Sequence, residues 1–145
     1  MGATRDLLEH AIAAWNQHDR SGWTGDFSSH AELSGPGGVQ GSGPEIVNMF
    51  YGLWQDAFPD NQVRTVTLAE DGPIGVLEGV FEGTHTAPLN APSGSIPPTG
   101  KRVSIPYVAM DRVEGGKFTR LALYFDQVEL LTQLGVMPTP TTASA

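Results

Sequence analysis

The sequence predicts an α+β domain in which a curved antiparallel sheet wraps around N-terminal helices to form a cone-shaped barrel. Apolar residues recur at helical spacing in the first part of the chain, and period-two alternation takes over from residue 62 onward. Because consecutive strands form an antiparallel meander, the helices must cover one face of it, and we expect a pocket between the two layers. The 145 residues suit a single domain.

Helices separated by one short strand make up the first half of the chain. Leu8, Ala11 and Trp15 fall on one face of the first helical segment, and Phe50 and Trp54 recur at the same spacing in the second. The predicted elements are a helix over 4–18, one helical turn within 19–25, a strand over 27–33, a glycine-rich loop over 34–43 and a helix over 44–57.

Alternating apolar residues predict four consecutive strands in the second half. Gly115 and Gly116 supply the tight turn between the last two strands. The predicted elements are strands over 62–69, 74–86, 101–112 and 117–126, a loop over 86–100, and a short helix that ends at Gly135. The 86–100 loop is rich in proline and glycine, and we interpret it as a rim over the pocket. We assign residues 1–138 to the domain and 139–145 to a flexible tail.

Composition excludes several classes of function. The formal net charge of −8 disfavours a nucleic-acid partner, because phosphate binding needs clustered lysine and arginine. Without cysteine there is no thiolate metal site, and His10 and His18 are spaced to lie on different faces of a helix, so we expect no metal. Charged residues interrupt the apolar N-terminal pattern, so we expect no membrane span and a soluble, cytoplasmic protein.

Asp126 stands where the last strand meets the last helix, and two interpretations of it are open. Asp is among the best residues for capping a helix N-terminus, because its carboxylate accepts hydrogen bonds from free backbone amides. Strict alternation from Phe118 puts Ala122, Tyr124 and Asp126 on one face of the strand. If that face lines the pocket, an apolar wall desolvates the carboxylate, and Asp126 can act as a general acid/base.

Three motifs, in this order and spacing, resemble one known family. They are FEGTHT over 81–86, PPTGKR over 97–102, and YFD over 124–126 followed by LLTQLG over 130–135. On these residues the sequence is similar to the SnoaL-like polyketide cyclases, or ester cyclases. That family belongs to the ketosteroid-isomerase and nuclear-transport-factor-2-like superfamily. The resemblance extends over roughly residues 7–138.

The resemblance implies a cone-shaped barrel that uses no metal and no organic cofactor, and that forms a homodimer through the outer face of its sheet. It implies closure of the last ring of an aromatic polyketide by an intramolecular aldol reaction. In this role Asp126 is the general acid/base and His85 is its neighbour in the active site. Relatives with changed chemistry leave a hydroxylase, dehydratase, isomerase or epoxide hydrolase as alternatives. A non-catalytic domain that binds a hydrophobic ligand is a further alternative.

The remaining candidates are residues expected to line the pocket. They are Trp15, His30, Phe50, Trp54, Phe81, Gly83, Tyr107, Ala122 and Tyr124. Gly83 and Ala122 would leave space there, and Ala122 stands where relatives usually carry a large aromatic residue, which implies a different substrate. A solvated position is the alternative for His30, and the sequence does not decide whether Tyr107 or Tyr124 faces the pocket. Such a pocket suits a small hydrophobic substrate, aromatic or polycyclic.

Overall fold

The helices and strands of the computed structural model follow the predicted order, with three short strands in addition. The structure describes residues 2–136, so the tail predicted at 139–145 lies outside the described residues. The helices are α1 (Ala3–Asn16), α2 (Arg20–Thr24), α3 (Pro44–Ala57) and α4 (Gln127–Gln133). The strands are β1 (Phe27–Gly35), β2 (Val39–Ser42), β3 (Gln62–Asp71), β4 (Ile74–Thr84), β5 (Leu89–Ala91), β6 (Gly94–Ile96), β7 (Arg102–Glu114) and β8 (Lys117–Phe125).

Six of the strands form one curved sheet in the order β2-β1-β8-β7-β4-β3. The predicted meander is present, because β3, β4, β7 and β8 pair antiparallel in sequence order. β1 pairs with β8 in parallel, so the sheet is mixed and not purely antiparallel as predicted. A parallel pair needs a long crossover, which here runs through α3 and the first three strands of the meander. The predicted α+β class is confirmed.

Two segments predicted as loops contain short strands. Within 34–43, β2 folds back on β1, and the turn between them uses positive φ angles of 88° at Gly37 and 82° at Gly38. Within 86–100, β5 and β6 form a separate two-stranded hairpin in which Leu89 pairs with Ile96. Strands of three or four residues are too short to display period-two alternation, and their turn residues dominate the local composition. This explains why the sequence predicted only loops.

The apolar faces of α1 and α3 are buried between these helices and the sheet. Gly75 on β4 permits the close approach of α1, since a Cβ there would lie 2.9 Å from Cδ2 of Leu8. Glu70 on β3 accepts hydrogen bonds from the backbone nitrogens of Gly2 and Arg5 at 2.7 and 2.9 Å. These bonds satisfy the first turn of α1, whose N-cap residue offers no side chain. Within residues 2–136, no helix combines the length and hydropathy needed to cross a bilayer.

Candidate active site

An apolar cavity of about 110 Å³ lies between the helices and the inner face of the sheet. On the helix side its lining includes Leu8, Ala11, Trp15, Trp23, Phe50 and Trp54. On the sheet side its lining includes Phe81, Tyr107, Asp111, Leu121, Leu123 and Phe125. The volume is smaller than the roughly 300–1,000 Å³ of pockets for drug-sized ligands. It is closer to the about 150 Å³ that holds one benzene molecule in a protein core. In this conformation the cavity therefore accommodates a single ring.

A β-bulge at Thr119 decides which side chains of β8 face the cavity. Arg120 pairs with Arg112, but Phe118 pairs with Val113, so Thr119 is an extra residue on β8. A slip of one residue moves every later side chain to the opposite face of a sheet. The cavity-lining residues of β8 beyond the bulge are Leu121, Leu123 and Phe125.

The predicted inward orientation of Ala122 and Tyr124 is wrong because of this bulge. Tyr124 lies on the outer face of the sheet and is 56% exposed. Ala122 is fully buried, but it sits between its strand neighbours Ser34 and Met110, outside the cavity lining. The space that Ala122 was expected to open in the pocket is therefore absent.

Asp126 is exposed and caps the N-terminus of α4. Its Oδ1 accepts a hydrogen bond from the backbone nitrogen of Glu129 at 3.1 Å. Its side chain is not part of the cavity lining, so the prediction that Asp126 lies in the pocket is wrong. Of the two interpretations that the sequence left open, the geometry supports the helix cap.

His85 is fully buried and also lies outside the cavity lining. Its Nδ1 accepts a hydrogen bond from the backbone nitrogen of Thr99 at 3.1 Å, and its backbone bonds to those of Gly100 and Lys101. Burial lowers the pKa of His85 below its ordinary value, and a nearby backbone group partly offsets that shift. Within residues 2–136, no hydrogen bond joins it to Asp126. In this structure the hydrogen bonds of His85 therefore hold the two ends of the 86–100 segment together.

The other predicted residues are divided between the cavity and the rest of the molecule. Those in the cavity wall are Trp15, Phe50, Trp54, Phe81 and Tyr107. Gly83 instead lies against the turn after α3, where a Cβ would be 3.1 Å from the Cβ atoms of Phe58 and Asn61. His30 is exposed on β1. The structure therefore brings together five of the six aromatic candidates. It leaves outside the cavity His30, His85, Gly83, Ala122, Tyr124 and Asp126.

Asp111 is the carboxyl group that the structure places in the cavity wall, and it was not among the predicted residues. It lies on β7 between Gly75 of β4 and Leu121 of β8. It is 5% exposed, and its Oδ1 has no hydrogen-bond partner within the described residues. Burial raises the pKa of Asp111 to about 7, because the apolar surroundings penalise the charged form. At neutral pH the group can therefore both accept and donate a proton.

Tyr107 lies on the same face of β7 and across Gly79 of β4. A Cβ on Gly79 would be 2.8 Å from Cζ and from the hydroxyl oxygen of Tyr107, so the ring occupies the space that glycine leaves. Burial, and to a lesser extent the charge of Asp111, raises the pKa of Tyr107 above its ordinary value of 10.0. The phenol therefore stays protonated. No three His, Cys, Asp or Glu side chains within residues 2–136 are placed to hold a metal ion.

The curved sheet wrapped around the N-terminal helices is a ketosteroid-isomerase-like fold. A Catenulispora acidiphila protein with that fold, solved in complex with trimethylamine, is similar with a TM-score of 0.74 and 16% identity. The similarity covers 93% of this chain and 98% of that one. Residues 5–134 match the family described as SnoaL-like polyketide cyclase. The chain belongs to that family.

Two further solved structures have the same architecture. AclR of Streptomyces galilaeus, a candidate hydroxylase, is 25% identical with a TM-score of 0.77, over 96% of this chain and 89% of that one. A candidate polyketide cyclase of Xanthomonas campestris is 19% identical with a TM-score of 0.80, over 91% of this chain and 96% of that one. No curated protein matches the sequence significantly.

Proposed function

We propose that this protein is a cofactor-independent enzyme of the polyketide cyclase type, which moves protons on a cyclic carbonyl compound with Asp111 as general acid/base. The observation that supports it is a buried carboxyl in the wall of an apolar cavity of single-ring size, whose Oδ1 has no hydrogen-bond partner among residues 2–136. Asp111 is the only acidic side chain among the described residues that line this cavity. Membership of the family supports the enzyme class.

An intramolecular aldol reaction needs a group that first removes a proton and later returns it. The Asp111 carboxylate takes a proton from the carbon next to a substrate carbonyl, which leaves an enolate. The enolate carbon forms a C–C bond to a second carbonyl carbon of the same molecule, and the electron pair of that carbonyl moves to its oxygen. The Asp111 carboxylic acid then returns the proton to the new alkoxide. A pKa of about 7 populates both forms of Asp111 near neutral pH.

Asp111→Asn tests this role by removing the acid/base at constant size. The assay is exchange of the α-hydrogens of cyclohexanone with solvent deuterium, followed by NMR, and it needs no knowledge of the natural substrate. We expect the exchange rate to fall by roughly 10²–10⁴-fold in the variant. We also expect the wild-type rate to rise with pH through an apparent pKa near 7, and this rise to disappear in the variant.

Asp126→Asn is the matched control. Asparagine also caps helices, and residue 126 lies outside the cavity lining, so we expect wild-type exchange. Exchange that survives Asp111→Asn but is lost in Asp126→Asn would restore Asp126 as the catalyst. If wild-type protein binds ring ketones but exchanges no hydrogen, the non-catalytic binding domain becomes the better description.

Hydroxylation of an aromatic substrate is the second candidate function. It is favoured by the 25% identity with AclR, the candidate hydroxylase. The two reactions differ in the mass of the product. An aldol product keeps the mass of its substrate, whereas a hydroxylated product gains one oxygen atom. Mass spectrometry of the product therefore decides between them.

A further inference from the structure

The indole N–H of Trp54 is a second unsatisfied polar group in the cavity wall. Trp54 is 8% exposed and packs edge-on against Phe81 and Phe125, with ring centroids 5.5 Å apart in both pairs. Its Nε1 is buried and has no acceptor within the described residues. Buried N–H groups are rarely left unpaired, because they forfeit their hydrogen bonds to water. A bound molecule can supply the missing acceptor.

The buried indole N–H of Trp15, in the same cavity wall, does have a hydrogen-bond acceptor. Its Nε1 donates to Oδ1 of Asn61 at 2.8 Å, and Nδ2 of Asn61 donates to Oε1 of Gln55 at 2.8 Å. Nε2 of Gln55 then donates to the backbone oxygen of Trp15 at 3.1 Å, which closes the network. Residues 2–136 therefore supply an acceptor for the Trp15 indole and none for that of Trp54.

The lining also limits the charge and size of the ligand. No lysine, arginine or histidine is among the described residues that line the cavity, so an anion would be buried without a counter-charge. A cation would leave the Trp54 donor unpaired. The volume of about 110 Å³ suits one ring. An uncharged ring compound satisfies all three conditions.

Trp54 on α3 and Asp111 on β7 line the cavity from its helix side and its sheet side. Trp54 packs on Phe125, which pairs with Tyr107 on β7. Asp111 lies four residues further along β7, on the same face as Tyr107. The indole of Trp54 and the carboxyl of Asp111 are therefore separate contact points for a bound ring.

We infer that Trp54 is a specificity-determining residue whose indole N–H donates to an acceptor oxygen of the substrate. The substrate is then an uncharged, single-ring ketone or quinone whose oxygen accepts this hydrogen bond. That the bound ketone or quinone is also the substrate rests on the proposed function. The hydrogen bond itself requires only binding.

The experiment compares acetophenone with α-methylstyrene, in which a C=CH₂ group replaces the carbonyl at nearly the same shape. Each probe is titrated into ¹⁵N-labelled protein, and the indole signals of its three tryptophans are followed by NMR. Trp54→Phe identifies the Trp54 signal by its loss. We expect wild type to bind the ketone roughly 2- to 10-fold tighter, and only the ketone to shift the Trp54 indole proton.

In Trp54→Phe we expect the preference for the ketone to disappear. Trp23→Phe removes an equal ring volume and a second indole N–H from the same cavity wall, and Tyr107→Phe removes its phenol donor, so both should keep the preference. A preference that survives Trp54→Phe, or one that is lost in Tyr107→Phe instead, would overturn the inference. So would an unshifted Trp54 signal in wild type, which decides the matter even if the variant does not fold.

The two proposals fail separately. If Asp111→Asn keeps hydrogen exchange while Trp54→Phe loses the ketone preference, the proposed acid/base is wrong and the Trp54 hydrogen bond stands. If Asp111→Asn loses exchange while Trp54→Phe keeps the preference, the proposed acid/base stands and the Trp54 hydrogen bond is wrong. Failure of wild type to bind either probe overturns the Trp54 inference.

Discussion

Asp111 and Asp126 carry the same side chain in opposite surroundings. Asp126 faces solvent at a helix N-terminus, where the backbone nitrogen of Glu129 donates to it. Asp111 is buried among apolar side chains, and its Oδ1 has no partner within the described residues. Capping stabilises a folded helix, whereas desolvation penalises a buried charge. Substitutions of Asp111 and Asp126 are therefore expected to change the stability of the protein in different ways.

Asp111→Asn should make the protein more stable than wild type at pH 8 but not at pH 4. Folding raises the pKa of Asp111 from 3.8 to about 7, so the unfolded chain releases this proton first as the pH rises. The stability that the protonated group contributes is full below about pH 4 and is lost as the pH rises to 7, at about 1.4 kcal/mol per pH unit. Asparagine does not ionise, so the variant does not lose stability in this way as the pH rises.

Urea unfolding of wild type and Asp111→Asn between pH 4 and pH 8 measures the difference. Among the described cavity-lining residues the other titratable group is Tyr107, whose raised pKa lies above this range. Parallel stability curves for the two proteins would contradict the burial of an ionisable Asp111.

Asp126→Ala should lower the free energy of unfolding by about 1 kcal/mol, because it removes the side-chain acceptor at the start of α4. Asp126→Asn should change it little, since asparagine caps helices about as well as aspartate. Urea unfolding at neutral pH compares the two variants. An equal loss in both would show that the charge of the carboxylate matters and not its hydrogen bond.

At the scale of elements, helical spacing predicted α1 and α3 because their apolar residues occupy one face only. Which face of β8 is buried could not be predicted in the same way. Leu121, Leu123 and Phe125 alternate with Ala122 and Tyr124, so both faces of the strand are apolar, and alternation does not say which is buried. The bulge at Thr119 leaves no mark in composition, yet it decides the orientation of every residue after it.

Asp111, in contrast, does have a signal in the sequence. Val103, Ile105 and Ala109 are buried on one face of β7, and strict alternation carries that face to Asp111. A carboxylate on an otherwise apolar strand face is unusual, because burying it costs free energy unless function requires it.

Gly79→Ala should destabilise the protein by about 1–3 kcal/mol, because overpacking forces neighbouring groups to move. The added Cβ would meet the Tyr107 ring at 2.8 Å and the backbone oxygen of Arg64 at 3.0 Å. Gly35→Ala is the control, since its Cβ would meet Leu123 at an ordinary 3.5 Å. Urea unfolding of both variants makes the comparison. A Gly79→Ala protein as stable as Gly35→Ala would show that the Tyr107 ring moves freely.

At the scale of the whole molecule, the outer face of the sheet is the surface on which we expect a homodimer. Met110 and Tyr124 are exposed there at 37% and 56%, and Val108 lies beside Tyr124 on the neighbouring strand. Tyr124→Lys should shift the protein toward monomer in analytical ultracentrifugation, because it places a charge in an apolar interface. Gln17→Lys makes the same change of charge at the exposed end of α1 and should leave assembly unchanged. A monomeric wild type would refute the expectation.

The parallel pairing of β1 with β8 also bears on the order in which the molecule assembles. Leu33 pairs with Leu121, so β1, near the start of the chain, cannot pair with β8 until that strand, near the end of the chain, has formed. Contacts between such distant segments form slowly, because a long stretch of chain must first lose its freedom. β8 also supplies Leu123 and Phe125 to the cavity wall. We therefore expect the helices and the β3–β4 hairpin to form early in folding, and the cavity to close last.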